Sequence, residues 1–132
     1  MDRNMFKQFS DDLQFLGADG VGAPEFSLGR EGQYDLQFIP FEHLNRDARL
    51  VIVGITPGNT QLDIAYKKAQ ELLRAGRPEE EIIVEVKKAG AFGGPSMKPN
   101  LLKMLRHFQF EKLLGIEPGG DGEGLEHRTH LV

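Results

Sequence analysis

Leu50-Val51-Ile52-Val53-Gly54-Ile55-Thr56-Pro57-Gly58-Asn59-Thr60 is the stretch that decides the fold. Its first six residues are uncharged and mostly β-branched, the composition of a strand buried on both faces in a parallel sheet. The run stops at a Thr-Pro-Gly turn, and helical spacing follows at Leu62, Ala65, Ala69, Leu72 and Leu73, with Gly76 closing the helix. Thr60 with Asp63 three residues on has the spacing of a capping box. Strand, tight loop and helix in that order predict an α/β fold. In such sheets ligands bind beyond the carboxyl ends of the strands, which puts the candidate site at Gly54 to Thr60. Gly54 lets backbone approach a ligand, Pro57 stiffens the loop and Gly58 permits a positive φ. The helix N-terminus behind them offers free N–H groups to an anion. Neither a GxxxxGK[ST] nor a GxGxxG pattern is present.

Outward from this core, residues 5–16 read as an amphipathic helix with Met5, Phe6, Phe9, Leu13 and Leu16 on one stripe. Residues 17–33 are glycine-rich and polar and read as loop. Tyr34 to Pro40 alternates apolar and polar side chains, as in a strand or extended arm. A second helix is predicted from Pro78, with Glu79, Glu80 and Glu81 favoured by the helix dipole and Ile82, Ile83, Val86 and Ala89 inward. Gly90 to Ser96 reads as loop, Pro99 to Phe110 as a third helix, and Gly115 to Gly124 as a flexible stretch with five glycines. Leu125 to Val132 has the makings of one more strand. A lone parallel strand needs neighbours. Either the tail completes a small sheet, or the chain is the first half of a larger domain.

The 132 residues suit a single domain that buries roughly two-thirds of its unfolded surface. Hydrophobic residues at 39% and charged residues at 27% are a globular composition. With no cysteine there are no disulfides, thiolate metal sites or Cys nucleophile. The charged start, MDRNMFKQFSDDLQF, is unlike a signal peptide or anchor, so a cytoplasmic location is expected. Net charge is −4, which argues against a general nucleic-acid coat. Yet Lys87 to Lys112 holds six basic side chains and one acidic, a net of +5. That segment is either an anion-binding face or the solvated faces of two helices.

Two motifs carry a resemblance. GITPG (Gly54 to Gly58) after a hydrophobic strand resembles the first motif of the uracil-DNA glycosylase superfamily. The longer stretch FIPFEHLNRDARLVIVGITPGNTQ looks like a less-studied branch of it. GGPSMKPNLLKML (Gly93 to Leu105) is similar to that superfamily's Pro-Ser loop leading into a helix. The resemblance covers about residues 34–112. It implies a three-layer α/β/α domain with a small parallel sheet, and hydrolysis of the N-glycosidic bond of a uracil flipped out of DNA. Such a site needs no metal or cofactor, and its partner is uracil-containing DNA, single strands included.

Carried over residue by residue, Thr56 stands where many relatives place an acid or amide that orients water. Gly54, Ile55, Pro57, Gly58 and Asn59 would line the base, with Phe92 as the stacking ring. Gly94, Pro95, Ser96, Lys98 and Asn100 would meet phosphate. A threonine hydroxyl is a poor general base near neutrality. No H-x-S or N-P-S sequence follows Leu105, so the C-terminal part of such a domain is expected to be missing. The same positions have plainer readings: Phe92 as a hydrophobic plug, Asn59 and Asn100 as caps, His43 as a local hydrogen-bonding group, His127 and His130 as solvated tail. The alternative to an enzyme is therefore a non-catalytic module that binds nucleotide, DNA or protein, or a fragment that self-associates through an unfinished sheet edge.

Overall fold

The computed structural model describes residues 4–17, 20–115 and 129–131. Its elements, in chain order, are α1 (Met5–Gln14), β1 (Ser27–Glu31), β2 (Tyr34–Gln37), β3 (Leu50–Ile52), α2 (Asn59–Arg74), α3 (Glu79–Gly90), α4 (Met97–His107), α5 (Phe110–Leu114) and β4 (Thr129–Leu131), with a short 3-10 turn at Pro24–Phe26 before β1. The fold is mixed α/β. No helix among the described residues is long and apolar enough to cross a membrane.

The first helix follows its stripe. Asn4 accepts a hydrogen bond from the Lys7 N–H at 2.9 Å and starts α1. Phe6, Phe9 and Leu13 are buried against Phe26, Phe38, Ala65, Tyr66, Ala69, Ile82 and Val86. This main core is therefore built by one face of α1, the facing sides of α2 and α3, and the two phenylalanines that flank the β1–β2 hairpin. Phe9 stacks on Phe38 with ring centroids 4.5 Å apart, and Phe26 on Tyr66 at 4.6 Å. The Tyr66 hydroxyl donates to the Phe38 carbonyl, so the one polar atom of this ring is satisfied inside the core.

Residues 17–33 are not all loop. Ser27–Glu31 pairs antiparallel with Tyr34–Gln37, Glu31 facing Tyr34 across the two-residue turn Gly32-Gln33. Gly32 carries a φ of +60° there, which only glycine adopts cheaply. The hairpin stands clear of the core: of the alternating apolar set Tyr34, Leu36 and Phe38, the first two are exposed and Phe38 is buried. The backbone hydrogen bonds of the pair, rather than a buried face, hold these strands together.

β3 differs from expectation in length and burial. It covers Leu50–Ile52 and pairs in parallel with β4, Leu50 facing Thr129 and Ile52 facing Leu131. The tail thus does complete a small sheet of two strands. The run is not buried on both faces. Leu50 and Ile52 pack on Leu101, Leu102, Leu105, Phe110 and Leu114, a second and smaller cluster. Val51, Val53 and Ile55 are exposed, because α4 and α5 cover one side of the strand only.

The remaining helix bounds shift for local reasons. α2 begins at Asn59, ahead of the Thr60–Asp63 capping box, which does not form. The third helix starts at Met97 and ends at His107, because Gln109 sits at φ +57° and breaks it into α4 and α5. Pro99 falls in the first turn of α4, where its missing N–H costs nothing. The predicted flexible stretch Gly115 to Gly124 lies outside the described residues apart from Gly115, as does His127.

Candidate functional site

Gly54, Ile55, Thr56, Pro57, Gly58 and Asn59 leave the carboxyl end of β3 and are all solvent-exposed. Gly58 is the N-cap of α2, in extended backbone at φ −81° rather than a positive φ. A glycine has no side chain with which to cap, so no side chain caps the first turn of this helix. Three residues on, Gln61 reaches back and its Oε1 accepts from the Gly58 N–H at 2.9 Å. This is the returning half of a capping box.

Gln61 does more than close that turn. It is 8% exposed. Its amide nitrogen donates to the Gly93 carbonyl at 2.7 Å and lies 3.6 Å from the Met97 sulfur. One buried amide thereby ties the Gly54–Gly58 loop to the Phe92–Ser96 loop. A Cβ placed on Gly94 would lie 3.7 Å from the Thr60 methyl, so the second loop runs beside the first turn of α2. The two segments that the sequence singles out are neighbours in space. Gln61 itself was absent from the expected site residues, although glutamine three positions after an N-cap glycine is a readable signal.

The second loop is held tightly. Gly93 donates to the Gly90 carbonyl at 2.8 Å, and a Cβ there would come within 2.4 Å of the Ala89 carbonyl oxygen. Phe92 takes a φ of +53°, the left-handed region that is costly for an aromatic residue. It is half-buried between buried Ala91 and Gly93, and among the described residues its ring stacks on no other. Gly94 has a φ of +121°, which requires glycine. Pro95 and Ser96 are exposed; Ser96 is the N-cap of α4, but its side chain does not cap. Asn100 is exposed and sits inside α4, so it does not cap that helix. Thr56 is exposed, with its hydroxyl 3.4 Å from the Pro57 carbonyl oxygen.

The basic segment is not one open face. Lys87 is 8% exposed and donates to the His43 carbonyl at 2.8 Å; burial pulls its ammonium below its ordinary range. His43 is held low as well, first by burial and then by Lys87 and Lys88. Lys98 donates to the Lys88 carbonyl at 2.8 Å, tying the start of α4 to the C-terminal turn of α3. Arg106 pairs with the mostly buried Glu111 at 2.8 Å. Lys103 and Lys112 are exposed.

The arrangement offers exposed backbone at the end of a strand, an uncapped helix N-terminus and an aromatic ring on a rigid neighbouring loop. No protein-family model matches the chain, and no solved structure matches it. The uncharacterized protein YoxB of Bacillus subtilis is 35% identical over 138 residues, which take in all of this chain and 54% of that protein. The chain therefore spans about half the length of the curated relative it matches.

Proposed function

We propose that the chain recognises a nucleobase turned out of DNA, and that excision of uracil is the reaction to which its two-loop site is fitted. The observation that supports this reading is the Gln61 bridge, which holds the GITPG loop against the Gly93–Ser96 loop. These are the two segments that resemble motifs of the uracil-DNA glycosylase superfamily. In this reading β3 and β4 belong to the parallel sheet of a three-layer α/β/α domain.

Each residue then has a physical task. Backbone at Gly54, Ile55 and Thr56 meets the edge of the base, with Pro57, Gly58 and Asn59 shaping the wall. Phe92 stacks on the ring, its loop pinned so that the platform costs little entropy to order. Gly94, Pro95, Ser96 and Asn100 approach the phosphates, and Lys98 adds charge beside them. In the reaction the C1′–N1 bond breaks, uracil leaves with the electron pair, and water adds to the oxocarbenium-like sugar. The Thr56 hydroxyl positions that water by hydrogen bonding, and as the water's oxygen bonds to C1′ one of the water's protons passes by way of solvent to the departing uracil anion. No cofactor is required.

A second reading, base binding without cleavage, is favoured by one observation. Among the described residues the Thr56 hydroxyl has only the Pro57 carbonyl as a partner, so no carboxylate or imidazole activates it. Uracil release from a labelled single-stranded oligonucleotide separates the two. Single strands remove the cost of unpairing. Release that is lost in Phe92→Ala supports excision. Folded protein that releases nothing, yet binds DNA with an affinity that falls as salt rises, is the binding module instead. Neither release nor binding removes both readings.

A further inference from the structure

The methionines of the described residues differ in reach and in neighbours. Met5 packs against the main core. Met97 and Met104 both stand on α4, with 48% and 49% of their surface exposed, so a small oxidant meets both side chains equally. What the Met97 sulfur touches sets it apart. Its Sδ lies 3.6 Å from Gln61 Nε2 and accepts one N–H of that amide, while the other N–H goes to the Gly93 carbonyl at 2.7 Å. Met97 also follows directly on Ser96, at the point where the second loop enters α4. An oxidisable sulfur thus sits in solvent's reach against the buried amide that joins the two loops.

We propose that Met97 is an oxidative modification site whose state sets the contact between the GITPG loop and the Gly93–Ser96 loop. The co-reactant is a peroxide. The thioether sulfur attacks one peroxide oxygen, the O–O bond breaks and an S–O bond forms. A proton moves from the transferred oxygen to the departing hydroxide, which leaves as water. Sulfur gives up an electron pair and the peroxide is reduced. The product is methionine sulfoxide, which sulfoxide reductases return to the thioether, so the modification is reversible.

The sulfoxide does not fit where the thioether did. A thioether is a weak acceptor and leaves the Gln61 amide turned chiefly to Gly93. The sulfoxide puts a polar oxygen on a sulfur that now carries partial positive charge, and either epimer disturbs the amide. Oxygen turned toward Gln61 intrudes into the 3.6 Å gap and competes with the Gly93 carbonyl. Oxygen turned away leaves positive sulfur against an N–H. The same side chain holds the Gly58 N–H through its Oε1, so a displacement that begins at Met97 reaches the first loop. Met104 takes no part in this bridge, and its oxidation leaves the loops as they are. The inference rests on the reading of the two loops as one site for its consequence, whereas the chemistry at sulfur stands apart from base recognition.

The experiment is amide hydrogen exchange followed by NMR, before and after treatment with hydrogen peroxide, with peptide mass mapping to locate the added oxygen. The Gly58 N–H is the reporter, because its acceptor is Gln61 Oε1. Untreated Gln61→Leu sets the scale for a lost bridge. After peroxide the Gly58 N–H is expected to exchange faster by on the order of tenfold, the loss of one hydrogen bond. Met104→Leu gains as much as the wild type. Met97→Leu keeps the volume, offers no thioether at that position and gains nothing. Sulfoxide reductase returns the treated wild type to its starting rate. A Met97 that stays reduced while Met104 is oxidised overturns the proposal. So does an oxidised Met97 with Gly58 exchange unchanged, or an acceleration that persists in Met97→Leu. No DNA enters the measurement, so its failure leaves base recognition standing, and a chain that releases no uracil leaves the Met97 result standing.

Discussion

Gln61 and Tyr66 lie five positions apart on α2, and each buries a polar group with its partner supplied by another segment. For Gln61 the partners are the Gly58 N–H and the Gly93 carbonyl. Gln61→Leu keeps the volume and frees exposed Gly58 to water, but strands the carbonyl of buried Gly93, where an unpartnered polar group costs about 1–3 kcal/mol. Urea denaturation of that variant is expected to show a loss of about 2 kcal/mol. A loss under a few tenths means the bridge is not formed in solution. Tyr66 is almost wholly buried, and burial pushes its hydroxyl up to about 12. In the unfolded chain the same group ionises near about 10. Between those values the unfolded state releases a proton that the folded state keeps. Stability is therefore full below about pH 10 and falls as pH rises toward 12, by on the order of 2–3 kcal/mol over the window. Tyr66→Phe lowers stability at neutral pH by removing the bond to Phe38, but its stability curve is flatter in alkali. A parallel decline in both proteins shows that another group drives the loss.

At the scale of elements, legibility followed the strength of each segment's own signal. α1, α2 and α3 each carry an apolar stripe at helical spacing, and each stands within about two residues of expectation. β1 was hidden because Ser-Leu-Gly-Arg-Glu buries nothing, so it has no apolar period to read. Its signal was the turn instead, a Gly-Gln pair before Tyr34. The break between α4 and α5 was hidden because Gln109, the residue in left-handed backbone between them, is neither glycine nor asparagine and so carries no local mark of a turn. β3 was legible as a strand but not in its burial. An apolar run tells what a strand can cover and not how many neighbours arrive to cover it. The two loops of the candidate site were legible, through Gly, Pro and Ser at fixed places. Their bridge was not, because Gln61 lies 32 positions from Gly93 and nothing local marks the pairing.

Among the described residues there are two apolar clusters of unequal size. The larger joins α1, α2, α3 and the base of the hairpin; in the smaller, under β3 and α4, Leu105 and Leu114 are the buried members among the described residues. Between α2–α3 and the smaller unit run the Gln61 bridge and the Lys98–Lys88 bond. Burial scales with protection, so amide exchange in α4 and α5 is expected through cheaper openings than in α2 and α3. Uniform protection across all four helices means a single cooperative core. The pairing of β3 with β4 carries a further consequence, which concerns time rather than energy. It joins residues about 80 positions apart in the chain, whereas α2 and α3 are sequence neighbours. Contacts of that span bear the largest loop-closure entropy and form after local ones. The helices can assemble early, while the strand that carries the GITPG loop waits for its distant partner. The strand beneath the candidate site is thus expected to be among the last parts of the protein to be set in place, and a chain caught before that step has its helices but no settled GITPG loop.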